Sequence, residues 1–130
     1  MTFKELNQYK DLKKEIEEQQ RRLRELREDA VALSSNTGGM PKSSVADKLG
    51  NIVTEIAALE EQINKGLVER VREYKELEIY ISNIPDSFTR RIFRMRFIDD
   101  LSWRKIARKC DGNYTADSVR MIVVRFLKKY

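Results

Sequence analysis

Histidine is missing from this chain, and cysteine occurs once, at Cys110. A single cysteine cannot form an internal disulfide, and a zinc site of the usual cysteine and histidine type lacks its ligands. Only two prolines and five glycines interrupt 130 residues, of which 36% are charged. This composition is typical of long exposed helices rather than of a sandwich, a barrel or a parallel sheet. We therefore predict an all-α protein in the reducing cytoplasm, with no metal and no other cofactor.

Long apolar runs are missing too. No stretch approaches the roughly 18 residues that a membrane-spanning helix needs, and the first 20 residues contain no apolar core of a secretory signal. The sequence also has no glycine-rich phosphate loop and no nucleophile with an evident base. We therefore expect a protein that is neither a membrane protein nor an enzyme.

Positive charge is concentrated in the last third of the chain, whose net charge as a whole is +5. Residues 1–33 carry 8 basic and 8 acidic side chains, and residues 34–84 carry 6 and 8. Residues 85–130 carry 12 and 5, which gives this part a net charge of +7. Such a segment is expected to face nucleic-acid phosphates. A basic surface that is only solvated is the alternative.

Residues 1–83 contain two amphipathic helical patterns, separated by the polar, glycine-containing segment 34–44. The seam of the first helix comprises Tyr9, Leu12, Ile16, Gln19, Leu23, Leu26, Ala30 and Leu33. The second seam comprises Val45, Leu49, Ile52, Ile56, Leu59 and Ile63, shifts phase near Gly66, and continues through Leu67, Val71, Tyr74, Leu77 and Ile81. Seams this narrow need a partner helix. We predict an antiparallel helical hairpin, a coiled coil, with a loop at 34–44. The two helices pair either within one chain or between two copies, and the second arrangement would make the protein a homo-oligomer.

Residues 84–130 predict three short helices joined by turns. Pro85 favours a helix start, followed by an apolar face of Ile84, Phe88, Ile92 and Met95 that ends at Asp99-Asp100. Ser102 can cap the second helix, whose inner side comprises Trp103, Ile106, Ala107 and Cys110. Thr115 can cap the last helix, which turns Val119, Ile122, Val123, Phe126 and Tyr130 inward. Three such helices fit a tri-helical DNA-binding unit.

A helix that enters a major groove needs polar groups at its first turn, an apolar back and cations near the phosphates. The predicted groove-facing residues are Thr115, Ala116, Asp117, Ser118, Arg120 and Met121. The predicted contacts to the DNA backbone are Arg104, Lys105, Arg108, Arg125, Lys128 and Lys129. We expect half of these residues to touch DNA, because solvating charge is the alternative for many. Trp103 could stack on a base and Cys110 could sense redox state, but we interpret both as core residues.

The residues from Ile84 onward resemble the fourth region of bacterial sigma factors. The matching segments are Ile84-Pro85, Arg94-Met95-Arg96-Phe97, residues 101–107, residues 118–122 and residues 125–129, in this order. The resemblance implies a helix-turn-helix domain that binds promoter DNA. The turn at 111–115 is about two residues longer than the turn usual in that family, and Ala116 and Met121 replace residues that are commonly polar. The promoter sequence therefore stays open.

The whole chain, with Gly39-Met40-Pro41 in its loop, resembles small phage and prophage regulators of the ArpU/RinA kind. This resemblance implies a late-gene transcription regulator in the cytoplasm of a Gram-positive host. Two other hypotheses stay open: a DNA-packaging recognition subunit of a phage, and a helical protein that docks on RNA polymerase or a sigma factor without touching DNA.

Overall fold

A computed structural model of the chain describes residues 1–35 and 42–129. Its elements are the helices α1 (Phe3–Ser35), α2 (Lys42–Ser82), α3 (Ser87–Phe93), α4 (Trp103–Lys109) and α5 (Ala116–Lys129), with a π-helical segment (Arg94–Ile98) directly after α3. Every element in the described part of the chain is helical. The predicted all-α class is therefore confirmed. The predicted loop at 34–44 is too long at both ends, because residues 34–35 belong to α1 and residues 42–44 belong to α2. Its remaining residues, 36–41, and Tyr130 lie outside the described residues.

The described residues form two compact units. Unit 1 comprises residues 1–12 and 70–130, and unit 2 comprises residues 13–69. The boundaries between them fall inside α1 and α2, whereas the predicted functional division lies after residue 83. That division into a hairpin and a DNA-binding domain stays a prediction.

Unit 2 is an antiparallel pair of helical segments. Leu23 of α1 packs with Leu59 and Ile63 of α2 in a small hydrophobic cluster, which Leu26 and Ile56 extend. Arg27 Nη2 lies 2.8 Å from Glu60 Oε1, and the ion pair is exposed. Gly66 lies against Ile16, and Glu60 lies against Arg27. Residue numbers therefore fall along α2 as they rise along α1, which confirms the predicted antiparallel pairing in this unit.

The predicted seams are correct along α1 and along the first half of α2. Leu12, Ile16 and Leu23 are buried, as are Leu59 and Ile63. Between Ile63 and Leu77 the prediction was wrong, because Leu67, Val71 and Tyr74 are exposed, whereas the last two predicted positions, Leu77 and Ile81, are buried. The less exposed positions there are Gly66, Glu69, Arg70 and Glu73. In this stretch the less exposed face of the helix consists of polar residues and a glycine, while the apolar residues occupy the adjacent face. A prediction based on apolar residues therefore selected the wrong face.

Unit 1 has a core to which distant parts of the sequence contribute. Its buried residues include Leu6, Leu77, Ile81, Phe93 and Phe97. The rings of Phe3 and Phe97 meet edge to face with centroids 6.2 Å apart, and those of Phe93 and Phe126 are 5.3 Å apart. Residues on both sides of position 83 therefore complete one core.

The segment from α3 to Asp100 begins and ends with recognisable local signals. Asp86 caps α3, since its carboxylate accepts hydrogen bonds from Thr89 N at 3.1 Å and from Thr89 Oγ1 at 2.7 Å. After Phe93 the helix widens, and Asp99 N donates to Arg94 O, five residues back, at 3.0 Å. Asp100 then takes a positive φ of 59° and ends the segment. The predicted helix end at Asp99-Asp100 is confirmed.

Candidate nucleic-acid interface

The two C-terminal helices contact each other and share the core of unit 1. α4 begins where it does because the Ser102 side chain accepts a hydrogen bond from Lys105 N at 3.2 Å. Its inner side buries Ile106 and Ala107, and Cys110 is buried just after its last turn. Its outer side exposes Arg104, Lys105 and Arg108. The predicted cap and the two faces of α4 are confirmed.

The turn between α4 and α5 runs from Cys110 to Thr115. Gly112 has a φ of 110°, a left-handed conformation that side-chain-bearing residues rarely adopt. Tyr114 packs on Phe88 of α3, with ring centroids 5.3 Å apart. This contact ties the turn to the first helix of the three.

Thr115 and Ser118 cap the start of α5 reciprocally. Ser118 N donates to Thr115 Oγ1 at 3.1 Å, and Thr115 N donates to Ser118 Oγ at 2.8 Å. The predicted cap at Thr115 is therefore confirmed. The Ser118 side chain takes the reciprocal role that a Glu or Gln plays in a capping box. The Ser118 hydroxyl thus already forms hydrogen bonds to the backbone of Thr115 in this structure.

α5 is amphipathic. Val119 and Val123 are fully buried, and Ile122, Phe126 and Leu127 pack around them at the core. The opposite side exposes Asp117, Arg125, Lys128 and Lys129. The inward-facing residues of the sequence prediction are thus confirmed, except Tyr130, which lies outside the described residues.

Arg120 and Asp117 form an ion pair on the first turns of α5. Arg120 Nη2 lies 3.3 Å from Asp117 Oδ1, and the two side chains are 44% and 85% exposed. The same nitrogen lies 3.8 Å from the sulfur of Met121. An exposed pair at this spacing contributes little to stability, and in the structure it directs the arginine side chain toward the first turn of α5.

The twelve predicted site residues lie on α4, on α5 or at the cap between them, and none is buried. Eight are exposed: Arg104, Lys105, Arg108, Thr115, Asp117, Arg125, Lys128 and Lys129. Four are half-buried: Ala116, Ser118, Arg120 and Met121. Lys109 is an exposed base of the same helix as Arg108 that the sequence prediction left out, although its position at the helix end was readable. Contact with DNA stays a prediction for all of them.

Trp103 and Cys110 both take the roles of packed residues. The guanidinium carbon of Arg96 lies 4.3 Å from the centroid of the Trp103 ring, while Arg96 Nη1 donates to Leu101 O at 3.1 Å. Burial lowers the pKa of Arg96, against the opposing effect of Asp100. Burial likewise raises the pKa of the Cys110 thiol. The Arg96 guanidinium thus covers one face of the Trp103 indole. The raised pKa favours the neutral form of the Cys110 thiol.

Across residues 1–35 and 42–129, no group of three or more His, Cys, Asp or Glu side chains is placed to hold a metal ion. None of the helices in those ranges has the length and apolar character required to span a membrane.

These observations define an all-α chain whose last two helices form a helix-turn-helix arrangement with an exposed basic side. The chain belongs to the family described as "Protein of unknown function (DUF1492)", whose family model matches residues 34–116. That match covers the last two residues of α1, the whole of α2, α3, the π-helical segment and α4, and the first residue of α5. Comparison with curated proteins and with solved structures gave no significant match.

Proposed function

We propose that this chain is a transcription regulator that binds duplex DNA through α5. The observation that carries the proposal is the outer surface of α4 and α5. These two helices contain eight basic residues and one acidic residue, and their inner sides are packed into the core of unit 1. A recognition helix requires this combination of a fixed apolar back and a cationic front.

The charge of residues 85–130 supports binding to phosphates. A segment with 12 basic and 5 acidic side chains is able to neutralise about four to six phosphates. The logarithm of the affinity should then fall with the logarithm of the salt concentration with a slope of about −4 to −5. A contact with a protein surface that is mainly apolar would change little with salt.

The finer assignment rests on the resemblance of residues 84–130 to sigma factor region four and of the whole chain to ArpU/RinA-like phage regulators. We propose on this basis that the regulated genes are late genes of a phage or an integrated element, and that the protein acts in the bacterial cytoplasm. RNA polymerase is then a candidate partner. Catalysis has no part in this proposal.

A gel-shift titration of the full chain tests the proposal. The probes are a pool of fragments from the surrounding genome, at two salt concentrations. We expect retention of one fragment, with affinity reduced by about 1–3 kcal/mol in Arg120→Ala if this side chain reads a base. Arg22→Ala is the matched control, since it removes an exposed arginine from unit 2 and should leave retention unchanged.

The other hypotheses predict different results. A protein that docks on RNA polymerase or a sigma factor without DNA contact retains no fragment even at low salt, which would contradict the proposal. A packaging recognition subunit retains DNA but assembles into rings, and it leaves transcript levels from the bound region unchanged. Size-exclusion mass measurement and transcript quantification separate it from a regulator.

A further inference from the structure

Asp117 is an acidic side chain on an otherwise basic surface, in the first turn of α5, where it also complements the helix dipole. It is the one acidic residue in α4 and α5, which together contain eight basic residues, and its side chain is 85% exposed. A carboxylate on a DNA-facing helix is repelled by the phosphates and lowers affinity for every sequence. A carboxylate in this position is useful if it increases discrimination between sequences.

The ion pair with Arg120 provides such a use. Arg120 Nη2 lies 3.3 Å from Asp117 Oδ1, three residues earlier in the helix. The pair therefore draws the guanidinium toward the first turn of α5, the end that contacts base edges in helix-turn-helix proteins. In a complex with DNA, the same contact would compete with phosphates for the guanidinium.

We propose that Asp117 is a positioning and specificity-determining residue, which holds Arg120 for recognition of a G·C base pair; this inference rests on the proposed DNA-binding function. A guanidinium has five N–H donors, and the contact to Asp117 uses one nitrogen, Nη2. The remaining donors can meet O6 and N7 of guanine, which is the commonest specific contact of arginine in the major groove.

The carboxylate can add a second contact. Oδ1 of Asp117 faces Arg120, and Oδ2 can accept from the N4 amino group of cytosine, the group that acidic side chains read in the major groove. An A·T pair offers its amino group from adenine N6 and lacks the O6 acceptor of guanine. The pair of side chains therefore selects G·C over A·T.

Loss of Asp117 should have two separable effects. The guanidinium of Arg120 becomes able to swing to a phosphate, so affinity for random DNA rises while preference for the G·C pair falls. Removal of any other nearby acid should raise affinity for all sequences equally. Asp111 is a suitable control, because it is an exposed acid in the turn before α5, whereas the ion-pair partner of Arg120 is Asp117.

The experiment is selection from a randomised duplex library with the full chain, followed by titration of the selected site and of single-base variants. The proteins compared are wild type, Asp117→Asn, Asp111→Asn, Arg120→Ala and the double variant Asp117→Asn/Arg120→Ala. Asp117→Ser is included as a second replacement that suits a helix start. Equal helicity by circular dichroism verifies that each variant folds.

We expect the wild type to discriminate against substitution of one G·C pair, and Asp117→Asn to reduce that discrimination by on the order of tenfold. Asp111→Asn should leave it unchanged, and once Arg120 is absent Asp117→Asn should have a smaller effect than in the wild type, because only the direct contact of the carboxylate with cytosine is then lost. If Asp117→Asn and Asp117→Ser discriminate as wild type does, this inference is overturned while the proposed function stands. If wild type retains no duplex at low salt, the proposed function fails and the inference with it.

Discussion

Substitution of Gly66 by alanine should destabilise the protein, although glycine in a helix interior is normally unfavourable. Gly66 lies in the middle of α2, and its partner in unit 2 is Ile16 of α1. A Cβ atom at position 66 would lie 3.1 Å from Ile16 Cγ1 and 3.4 Å from Ile16 Cδ1. Carbon atoms pack best at about 3.5–4.0 Å, so the nearer contact is too short.

The magnitude follows from two opposing effects. Alanine in place of glycine gains about 0.5–1 kcal/mol of helix stability, whereas overpacking of a close interface costs about 1–3 kcal/mol. Ile16 is only 1% exposed, and its branched Cβ fixes the side-chain rotamer in a helix. Because Cγ1 cannot move aside easily, we expect Gly66→Ala to lower the free energy of unfolding by about 1 kcal/mol.

Urea unfolding followed by circular dichroism measures this effect, and Gly50→Ala is its matched control. Gly50 lies in the same helix, and a Cβ there would meet nothing within 4 Å, so this variant should gain about 0.5–1 kcal/mol. Ile16→Ala removes both short contacts, and in that background Gly66→Ala should also become stabilising. If Gly66→Ala stabilises the parent chain as much as Gly50→Ala does, the close approach of the two helices is refuted.

Three further predictions concern the core, acid sensitivity and the thiol. Leu23→Glu places a charge in the small cluster of Leu23, Leu59 and Ile63 and should reduce helicity. Glu25→Gln, at an exposed site of the same helix, should leave helicity unchanged. If Leu23→Glu changes neither the helicity nor the mass of the protein in solution, the predicted seam is contradicted. The hydrogen bonds from Thr89 to Asp86 lower the pKa of this carboxyl. The contribution of Asp86 to the free energy of unfolding is therefore present above the ordinary aspartate range near pH 4 and is lost as the pH falls through the lowered pKa. Asp86→Asn should flatten the acid dependence of the urea midpoint, and an unaltered dependence would count against the cap. Burial raises the pKa of Cys110, so a thiol reagent at neutral pH should modify this side chain only as fast as the core opens. Modification as fast as that of a free thiol would mean that Cys110 is accessible in the folded protein.

The sequence predicts those parts of the fold that depend on local chemistry. Ser102 and Thr115 cap their helices as predicted, because a hydroxyl just before a helix accepts a hydrogen bond wherever the rest of the chain lies. The seam from Leu12 to Leu23 also follows from spacing alone. The pair of Asp117 and Arg120 was readable in the same way, since residues three apart are neighbours on a helix.

Other features depend on contacts between distant residues and could not be predicted. Phe93 and Phe97 were absent from the predicted helix face, and both are buried. The π-helical turn at Arg94–Ile98 changes the spacing of side chains along this segment, which a regular period of 3.6 residues does not anticipate. Leu6 joins the same core from the other end of the sequence, and no local pattern indicates which core a helix will enter.

The contact between Phe3 and Phe97 limits how early during synthesis the core of unit 1 can be completed. These rings are separated by most of the sequence, so bringing them together from an extended chain requires closure of a long loop. The pairing of Ile16 with Gly66 and of Leu23 with Leu59 is more local, and once formed it removes the intervening residues from that loop. We expect the hairpin of unit 2 to form during synthesis, while unit 1 waits for the last helices to leave the ribosome.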